Sequence, residues 1–243
     1  MTSIAQRLVA TREAIVAAAR RAGRDPAEIE LLAVSKTHPP EALREAIEAG
    51  QLLFGESRVQ EARAKIPLLP SRTRWHFIGH LQSNKIRHAL ASEFELLHGI
   101  DTLELAADLN RIAGELGHRP RLLLEVNLAG ESTKFGFSPA KLRAAMTQLL
   151  GFERLQIDGL MTIAPIGRDA EDSRRYFRLL RELRDELQGE FGVRLAQLSM
   201  GMSGDFPVAI EEGATIVRIG SAIFGRRGGK SWRPSPDRAT LGD

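Results

Sequence analysis

The 243-residue chain contains no cysteine and a single tyrosine, Tyr176. Without cysteine it forms neither disulfides nor thiolate-ligated metal sites, and this composition fits a reducing compartment. Long hydrophobic runs are also missing, because no apolar stretch approaches the roughly 20 residues that a membrane-spanning helix needs. The N-terminal segment alternates charged and apolar residues, whereas a signal peptide has a continuous apolar centre. These absences predict a cytoplasmic protein without a membrane partner.

The chain also lacks a large excess of basic or acidic residues. The chain has 34 basic and 31 acidic side chains, with a net charge of +3 at pH 7. A nucleic-acid-binding domain concentrates basic charge on one face, and no long unmixed basic run is present. The arginines between 174 and 184 alternate with acidic residues, which is typical of a solvated helix face with i,i+4 ion pairs. We therefore predict no nucleic-acid partner, and an adaptor that uses this helix is a remote alternative.

Hydrophobic periodicity predicts an N-terminal helix over residues 3–22, followed by eight alternations of strand and helix. The predicted strands are 31–34, 52–54, 75–78, 94–97, 121–126, 155–160, 195–199 and 215–219. The predicted helices are 40–49, 58–66, 85–90, 102–116, 139–150, 170–188 and 203–212, with Ser57 as a candidate cap. Eight parallel strands in sequence favour a single α/β barrel of the (β/α)₈ type, and an open doubly wound sheet is the alternative. One domain over 1–227 and a disordered tail over 228–243 are expected.

The segment Glu30–Lys36 is the most informative part of the chain. Its apolar residues 31–34 predict a buried strand, and Lys36 comes just after the strand end. In a barrel of this type the active site lies at the C-terminal ends of the strands. Partial desolvation there lowers the pKa of a lysine, and the resulting amine forms Schiff bases with carbonyls such as pyridoxal phosphate (PLP). A solvated lysine is the alternative on these residues alone.

Two loops that combine glycine and serine follow the last two predicted strands, Ser199–Asp205 and Arg218–Gly225. Glycine lets the backbone approach an anion, serine hydroxyls donate to phosphate oxygens, and this is where the fold often binds phosphate. Two ordinary serine-capped turns are the alternative. Barrel closure makes the last strand a neighbour of the first, so Lys36 and Arg218 are expected near this cradle. A reactive lysine beside a phosphate cradle fits PLP, with Arg218 facing either the phosphate or the pyridine nitrogen.

Six segments in order resemble the pyridoxal phosphate homeostasis protein family, formerly called proline synthase co-transcribed proteins. They are A-V-S-K-T (33–37), F-G-E-S-R-V-Q-E (54–61), W-H-F-I-G-H-L-Q-S-N-K (75–85), G-L-M-T-I (159–163), L-S-M-G-M-S-G-D (198–205) and V-R-I-G-S-A-I-F-G (217–225). The resemblance spans about residues 4–227.

This resemblance implies a barrel similar to the N-terminal domain of alanine racemase, with PLP bound to Lys36 as an aldimine. It implies phosphate contacts from the loop that contains Ser199, Gly201, Met202 and Ser203, and from Gly220 and Ser221. It also implies a carrier or regulator of PLP without established catalysis, with PLP-dependent apo-enzymes as recipients. The chain has Gly55-Glu56-Ser57-Arg58 where the family usually shows G-E-N-Y. Ser57 is therefore expected to replace an asparagine contact with a shorter hydrogen-bonding side chain.

Two enzyme classes are alternatives to a PLP carrier. An amino-acid racemase with two bases needs an acid/base group on each face of its substrate. The one tyrosine lies on a predicted helix, and no second domain supplies an opposing tyrosine, so the carrier is favoured. A Schiff-base aldolase that uses Lys36 and a phosphorylated sugar is the other alternative, and the family motifs argue against it.

Three further predictions concern metal binding, Lys134 and the oligomeric state. His76 and His80 span a strand and a glycine turn, so their spacing of four does not place them on one helix face and no metal site is predicted. Lys134, in the loop after the fifth strand, is expected to be solvated rather than to reach a ligand. No broad apolar surface stripe is evident, which favours a monomer.

Overall fold

The computed structural model describes residues 2–131, 133–165, 167–225 and 232. Its strands are β1 (Glu30–Val34), β2 (Leu53–Glu56), β3 (Arg74–Phe77), β4 (Phe94–Ile100), β5 (Arg121–Glu125), β6 (Gln156–Met161), β7 (Gln197–Ser199) and β8 (Ile216–Ile219). Its α-helices are α1 (Ile4–Arg21), α2 (Pro40–Glu48), α3 (Val59–Lys65), α4 (Ile86–Leu90), α5 (Leu103–Leu116), α6 (Pro139–Leu150), α7 (Arg174–Phe191), α8 (Phe206–Glu211) and α9 (Ser221–Phe224).

The strands close into a parallel barrel whose order follows the chain, from β1 to β8 and back to β1. At the closure Leu32 of β1 lies opposite Arg218 of β8. The predicted (β/α)₈ barrel is thereby confirmed, and the open sheet is excluded. The expected domain boundary and the tail at 228–243 fall on residues outside the described ranges, apart from Trp232, and stay predictions.

Helix α1 completes the outer layer at the closure of the barrel. Its first turn is fixed by a capping box, in which the Ser3 hydroxyl accepts from the Gln6 N–H and the Gln6 side chain accepts from the Ser3 N–H. Apolar residues such as Leu8 and Ile15 are buried against α2, α8 and α9. Because α9 is only four residues long, α1 takes the place of the long helix that would otherwise follow β8.

The interior of the barrel changes from apolar to polar along the strands. A separate buried cluster fills the lower part and consists of Leu32, Leu53, Leu96, Leu123, Met161 and Ile216, with Ile78 packed against it. Since alternate residues of a strand face the same side, the inward positions that follow Leu96, Leu123 and Ile216 are polar. They are His98, Glu125 and Arg218, and His76 on β3 and Ser199 on β7 are further buried polar residues. The chemistry-bearing side chains therefore lie towards the C-terminal ends of the strands.

Several boundaries differ from the predicted ones for identifiable reasons. Strand β4 runs on to Ile100 instead of stopping at residue 97, because barrel pairing continues past the end of its apolar run. Ser57 is not the cap of α3: Arg58 holds the N-cap position without a side-chain hydrogen bond. Instead the Ser57 backbone lies against Gly79, where an added Cβ would be 2.1 Å from the Ser57 oxygen.

The charged helix α7 also differs in detail from its prediction. Its arginines 174, 178 and 181 pair with Glu212, just beyond the end of α8, so the ion pairs join two elements rather than following i,i+4 spacing along α7. Searched over the described ranges, every helix is too short or too polar to span a bilayer.

Candidate functional site

The predicted site residues gather on one half of the barrel mouth. Lys36 follows β1, Ser57 follows β2, Ser199 ends β7, and Arg218 lies on β8. The other predicted residues are in the loops after β7 and β8, namely Gly201, Met202, Ser203, Gly220 and Ser221. Since β7, β8, β1 and β2 are consecutive around the barrel, residues separated by up to 185 positions in sequence share one rim.

Lys36 is half-buried and lies in a turn whose backbone is hydrogen-bonded to a buried lysine, Lys65. The side chain of Lys65 is completely buried, and its Nζ donates to the Ser35 carbonyl at 2.9 Å. The same Nζ donates to Glu56 Oε1 at 2.8 Å and to Glu61 Oε1 at 2.6 Å. We call Ser35, Glu56, Glu61 and Lys65 the Lys65 cluster.

The Lys65 cluster fixes the residues on both sides of Lys36. The Ser35 hydroxyl donates to Glu56 Oε1 at 2.7 Å, and the Thr37 N–H donates to Glu61 Oε1 at 2.5 Å. Thr37 has a φ of +69°, which a β-branched residue rarely adopts. The hydrogen bond to Glu61 stabilises this strained turn, so the cluster determines the direction in which Lys36 leaves the strand.

Burial sets the ionisation of Glu56. It raises the pKa of Glu56 to about 7, although the Lys65 ammonium opposes this increase. The Oε2 atom of Glu56 is buried and has no hydrogen-bond partner among the described residues. Sequence reasoning missed this cluster; its only sequence signal is the i,i+4 spacing of Glu61 and Lys65.

Arg218 is fixed inside the barrel by two acceptors. Its Nη1 donates to Ser199 Oγ at 2.7 Å, and its Nη2 donates to the Thr162 carbonyl at 2.9 Å. Burial lowers the pKa of Arg218 to about 10, which leaves the guanidinium charged at neutral pH. Arg218 is thus a permanent cation at a defined position below the mouth.

A chain of hydrogen bonds continues from Ser199 across the interior. Ser199 Oγ is 2.9 Å from His98 Nδ1, and His98 Nε2 is 3.0 Å from His76 Nδ1. Burial lowers the pKa of His76 to about 3 and that of His98 well below its usual value, so both rings are neutral. The direction of the two bonds made by His98 follows from its tautomer, since each ring nitrogen of a neutral imidazole either donates or accepts. Ser199 Oγ thus contacts both Arg218 and His98, and its predicted contact with the cofactor stays a prediction.

The two loops proposed as a phosphate cradle are in direct contact. Ser203 Oγ accepts from the N–H groups of Gly220 at 3.2 Å and Ala222 at 3.3 Å. Gly201 has a φ of +91°, and an added Cβ would lie 2.6 Å from the Ala209 Cβ, so only glycine fits there. Ser203 Oγ therefore joins the two loops, and both N–H groups are engaged with it.

The other candidates of the sequence have separate surroundings. His76 belongs to the interior chain, whereas His80 Nδ1 lies 2.9 Å from Asp101 Oδ2. No group of three or more histidine or acidic side chains suited to a metal occurs among the residues described. Lys134 donates to Glu131 Oε1 at 2.8 Å and is one-third exposed.

Comparison with known proteins gives concordant matches. A model of the family described as alanine racemase, N-terminal domain, matches residues 8–228. A pyridoxal phosphate homeostasis protein of Aquifex aeolicus is 47% identical over 223 residues, which cover 91% of this chain and 97% of the relative. The protein of that name from Escherichia coli is 41% identical over 240 residues, with 93% and 98% coverage.

Solved structures are similar over nearly the whole chain. The structure of PipY from Synechococcus elongatus, described as having PLP bound, is 45% identical with a TM-score of 0.80. The match covers 92% of this chain and 100% of PipY. An alanine racemase of Clostridium difficile has a TM-score of 0.66 at 15% identity, covering 93% of this chain and 59% of the racemase, which shows a shared fold alone.

Proposed function

The chain belongs to the pyridoxal phosphate homeostasis proteins within the alanine racemase N-terminal domain family, and from this we propose that it binds PLP and buffers or delivers it. The observation that supports this most is the gathering of an amine, a buried cation and two glycine–serine loops on four consecutive strands. When bound, PLP supplies an aldehyde that reacts with amines and a phosphate that needs donors. The residues present fit both demands.

Each proposed contact has a distinct task. Lys36 bonds covalently to the cofactor, and its turn is held by the Lys65 cluster. The Ser203 hydroxyl donates its proton to the phosphate, and the Gly220 and Ala222 N–H groups, from which it accepts, hold that hydroxyl in place. Met202 and Ser221 flank this cradle, Gly201 gives the chain the turn it needs, and Ser57 adds a hydroxyl from β2. Ser199 acts through Arg218.

Arg218 supports carriage rather than demanding carbanion chemistry. It remains protonated at neutral pH, and Ser199 and Thr162 orient its guanidinium. Facing the pyridine nitrogen, this cation would oppose protonation of the ring and so weaken it as an electron sink, whereas facing the phosphate it would pair with that group.

A non-catalytic role has two further supports. The relatives are named for homeostasis of the cofactor rather than for a reaction. Tyr176 lies on α7 in the outer layer of the barrel, and its hydroxyl accepts from Arg175. It therefore does not supply a second base at the mouth. A cytoplasmic location, a monomeric state and delivery to apo-enzymes stay predictions.

The attachment of PLP to Lys36 is tested by visible absorption spectra of the full chain with added PLP, alongside Lys36→Ala and Lys141→Ala. Lys141 is an exposed lysine on α6 and serves as the matched control. Borohydride reduction and peptide mass mapping then locate the modified lysine. We expect the spectral band to disappear only in Lys36→Ala, with the modification on Lys36. A band that survives in that variant would overturn the assignment.

Delivery is tested separately by mixing the loaded chain with an apo-enzyme that requires PLP, in the presence of a trap for free PLP. Enzyme activity that recovers despite the trap supports direct transfer. Recovery no greater than that from free PLP under the same trap would contradict it.

A further inference from the structure

A separate cavity of about 170 Å³ lies on the other side of the barrel mouth. Its lining includes Glu125 at the end of β5, Ile163 after β6, and Lys134 and Phe135 in the loop between β5 and α6. In a closed barrel of eight strands β5 is four strands away from β1 in both directions. The cavity is therefore opposite Lys36, and none of its lining residues is among the proposed PLP contacts.

Glu125 is the unusual feature of this cavity. Its residue surface is only 8% exposed, and its carboxylate has no hydrogen bond or ion pair within the described chain. Burying a charged carboxylate without a partner is costly. Burial and the nearby Asp101, just past β4, raise the pKa of Glu125 to about 7, and Arg218 on β8 opposes this increase. Arg218 is nevertheless engaged with Ser199 and Thr162, so Glu125 lacks a bonded cation.

The rest of the cavity presents a cation and an apolar wall. Lys134 uses one of its three donors on Glu131, which leaves two for another acceptor. Phe135 and Ile163 are large apolar side chains that are 55% and 42% exposed, so they have surface left to cover. A carboxyl group, a cation and apolar side chains thus line one small cavity.

The loop that supplies Lys134 and Phe135 is held on both sides. The Asn127 side chain donates to the carbonyls of Glu131 and Lys134 and accepts from the Gly130 N–H. At the other side the Phe135 ring stacks on His80, with ring centroids 3.8 Å apart. The cavity wall is therefore built by specific contacts rather than by an unsupported loop.

We propose that this cavity binds a small zwitterionic α-amino acid with an apolar side chain. Its ammonium group pairs with Glu125, its carboxylate receives a hydrogen bond from Lys134, and its side chain packs on Phe135 and Ile163. The binding is non-covalent and does not depend on Lys36. A metal ion fits less well, because no set of three suitable ligands surrounds Glu125 among the described residues.

The test is a calorimetric titration of the full chain without PLP, because the amine of an amino acid also reacts with the PLP aldehyde. L-alanine is the probe, and ethylamine and propionate each lack one of its two charged groups. We expect alanine to bind and both analogues to bind at least tenfold more weakly. No binding of alanine at millimolar concentration would overturn the proposal, and equal affinity for either analogue would overturn the zwitterion assignment.

Variants assign the two charged contacts. Glu125→Gln keeps the shape of the side chain and removes its charge, and Lys134→Gln removes the cation from a partly exposed position where folding is not at risk. We expect each to weaken alanine binding tenfold or more. Glu153→Gln, at an exposed position outside the barrel mouth, is the control and should bind as the wild type does. Wild-type affinity in either cavity variant would refute the proposed contact.

Discussion

The substitution Lys65→Met tests whether the Lys65 cluster stabilises the turn that contains Lys36. Methionine is a similarly long, unbranched side chain, but it lacks the ammonium group. The Lys65 Nζ donates to one carbonyl and two carboxylates in a fully buried environment. Removing one partner of a buried ion pair typically costs 3–5 kcal/mol, because the remaining charge is left unpaired.

The expected loss for this protein is at the lower end of that range at neutral pH. Burial raises the pKa of Glu56 to about 7 even with Lys65 present, so Glu56 can become neutral when the ammonium is removed. Glu61 keeps the Thr37 N–H as a donor. We therefore expect the free energy of unfolding to fall by about 3 kcal/mol at pH 7, and by more at higher pH, where Glu56 is harder to protonate.

Urea unfolding of the full chain measures this loss, with Lys141→Met as the control. Lys141 is exposed on α6, and its substitution should change stability by no more than about 0.5 kcal/mol. The Lys65 variant should also bind PLP more weakly, because Ser35 and Thr37 lose their anchors. A stability loss below about 1 kcal/mol would refute the reasoning, because it would mean that Glu56 and Glu61 remain buried at little cost when the Lys65 ammonium is removed.

Two further predictions concern Glu56 and the phosphate cradle. Glu56 has a folded pKa of about 7 and an ordinary value of 4.5, so its ionisation removes stability as pH rises through 7. Relative to the wild type, Glu56→Gln should become more stable by about 2–3 kcal/mol between pH 5 and pH 8 in urea unfolding; an unchanged difference would contradict the raised pKa. Gly201→Ala forces a positive φ on alanine and a contact with Ala209, so we expect a loss of about 2 kcal/mol. Gly204→Ala meets no atom within 4 Å and should change stability by less than about 0.5 kcal/mol, and equal losses in the two variants would show that the Gly201 turn is not strained.

The sequence predicts the barrel and the contact between its first and last strands well because both follow from local patterns. Short apolar runs separated by amphipathic helices indicate the strands, and closure of a parallel barrel makes the first strand a neighbour of the last. The pairing of Leu32 with Arg218 confirms this consequence. No long-range contact had to be known in advance.

The interior hydrogen bonds could not be predicted in the same way. His98 lies beyond the apolar run that marks β4, so its place in the barrel becomes visible only when the strand is extended to Ile100. Its contacts with His76 and Ser199 join β3 and β4 to β7, and Ser199 is 101 positions from His98 in sequence. The spacing of Glu61 and Lys65 is visible in the sequence, but it is the same as that of a common exposed ion pair on a helix, so it does not indicate burial. Only the packing of α3 on the barrel reveals that the pair is buried.

Side chains on alternate sides of β1 restrict the insertions and deletions that this strand tolerates. Leu32 packs in the apolar part of the barrel interior, and Lys36 is an even number of positions further along the chain. Ser35, between them, belongs to the Lys65 cluster. Deleting one residue from 33–35 would reverse the parity of every later position up to the turn, exchanging the sides on which Ser35 and Lys36 lie. Side-chain substitutions within the strand leave this alternation intact. The insertion or deletion of a single residue reverses it and moves Lys36 to the other side of the strand. Insertions and deletions in this lineage should therefore accumulate in the loops and be absent from the strand that precedes the lysine.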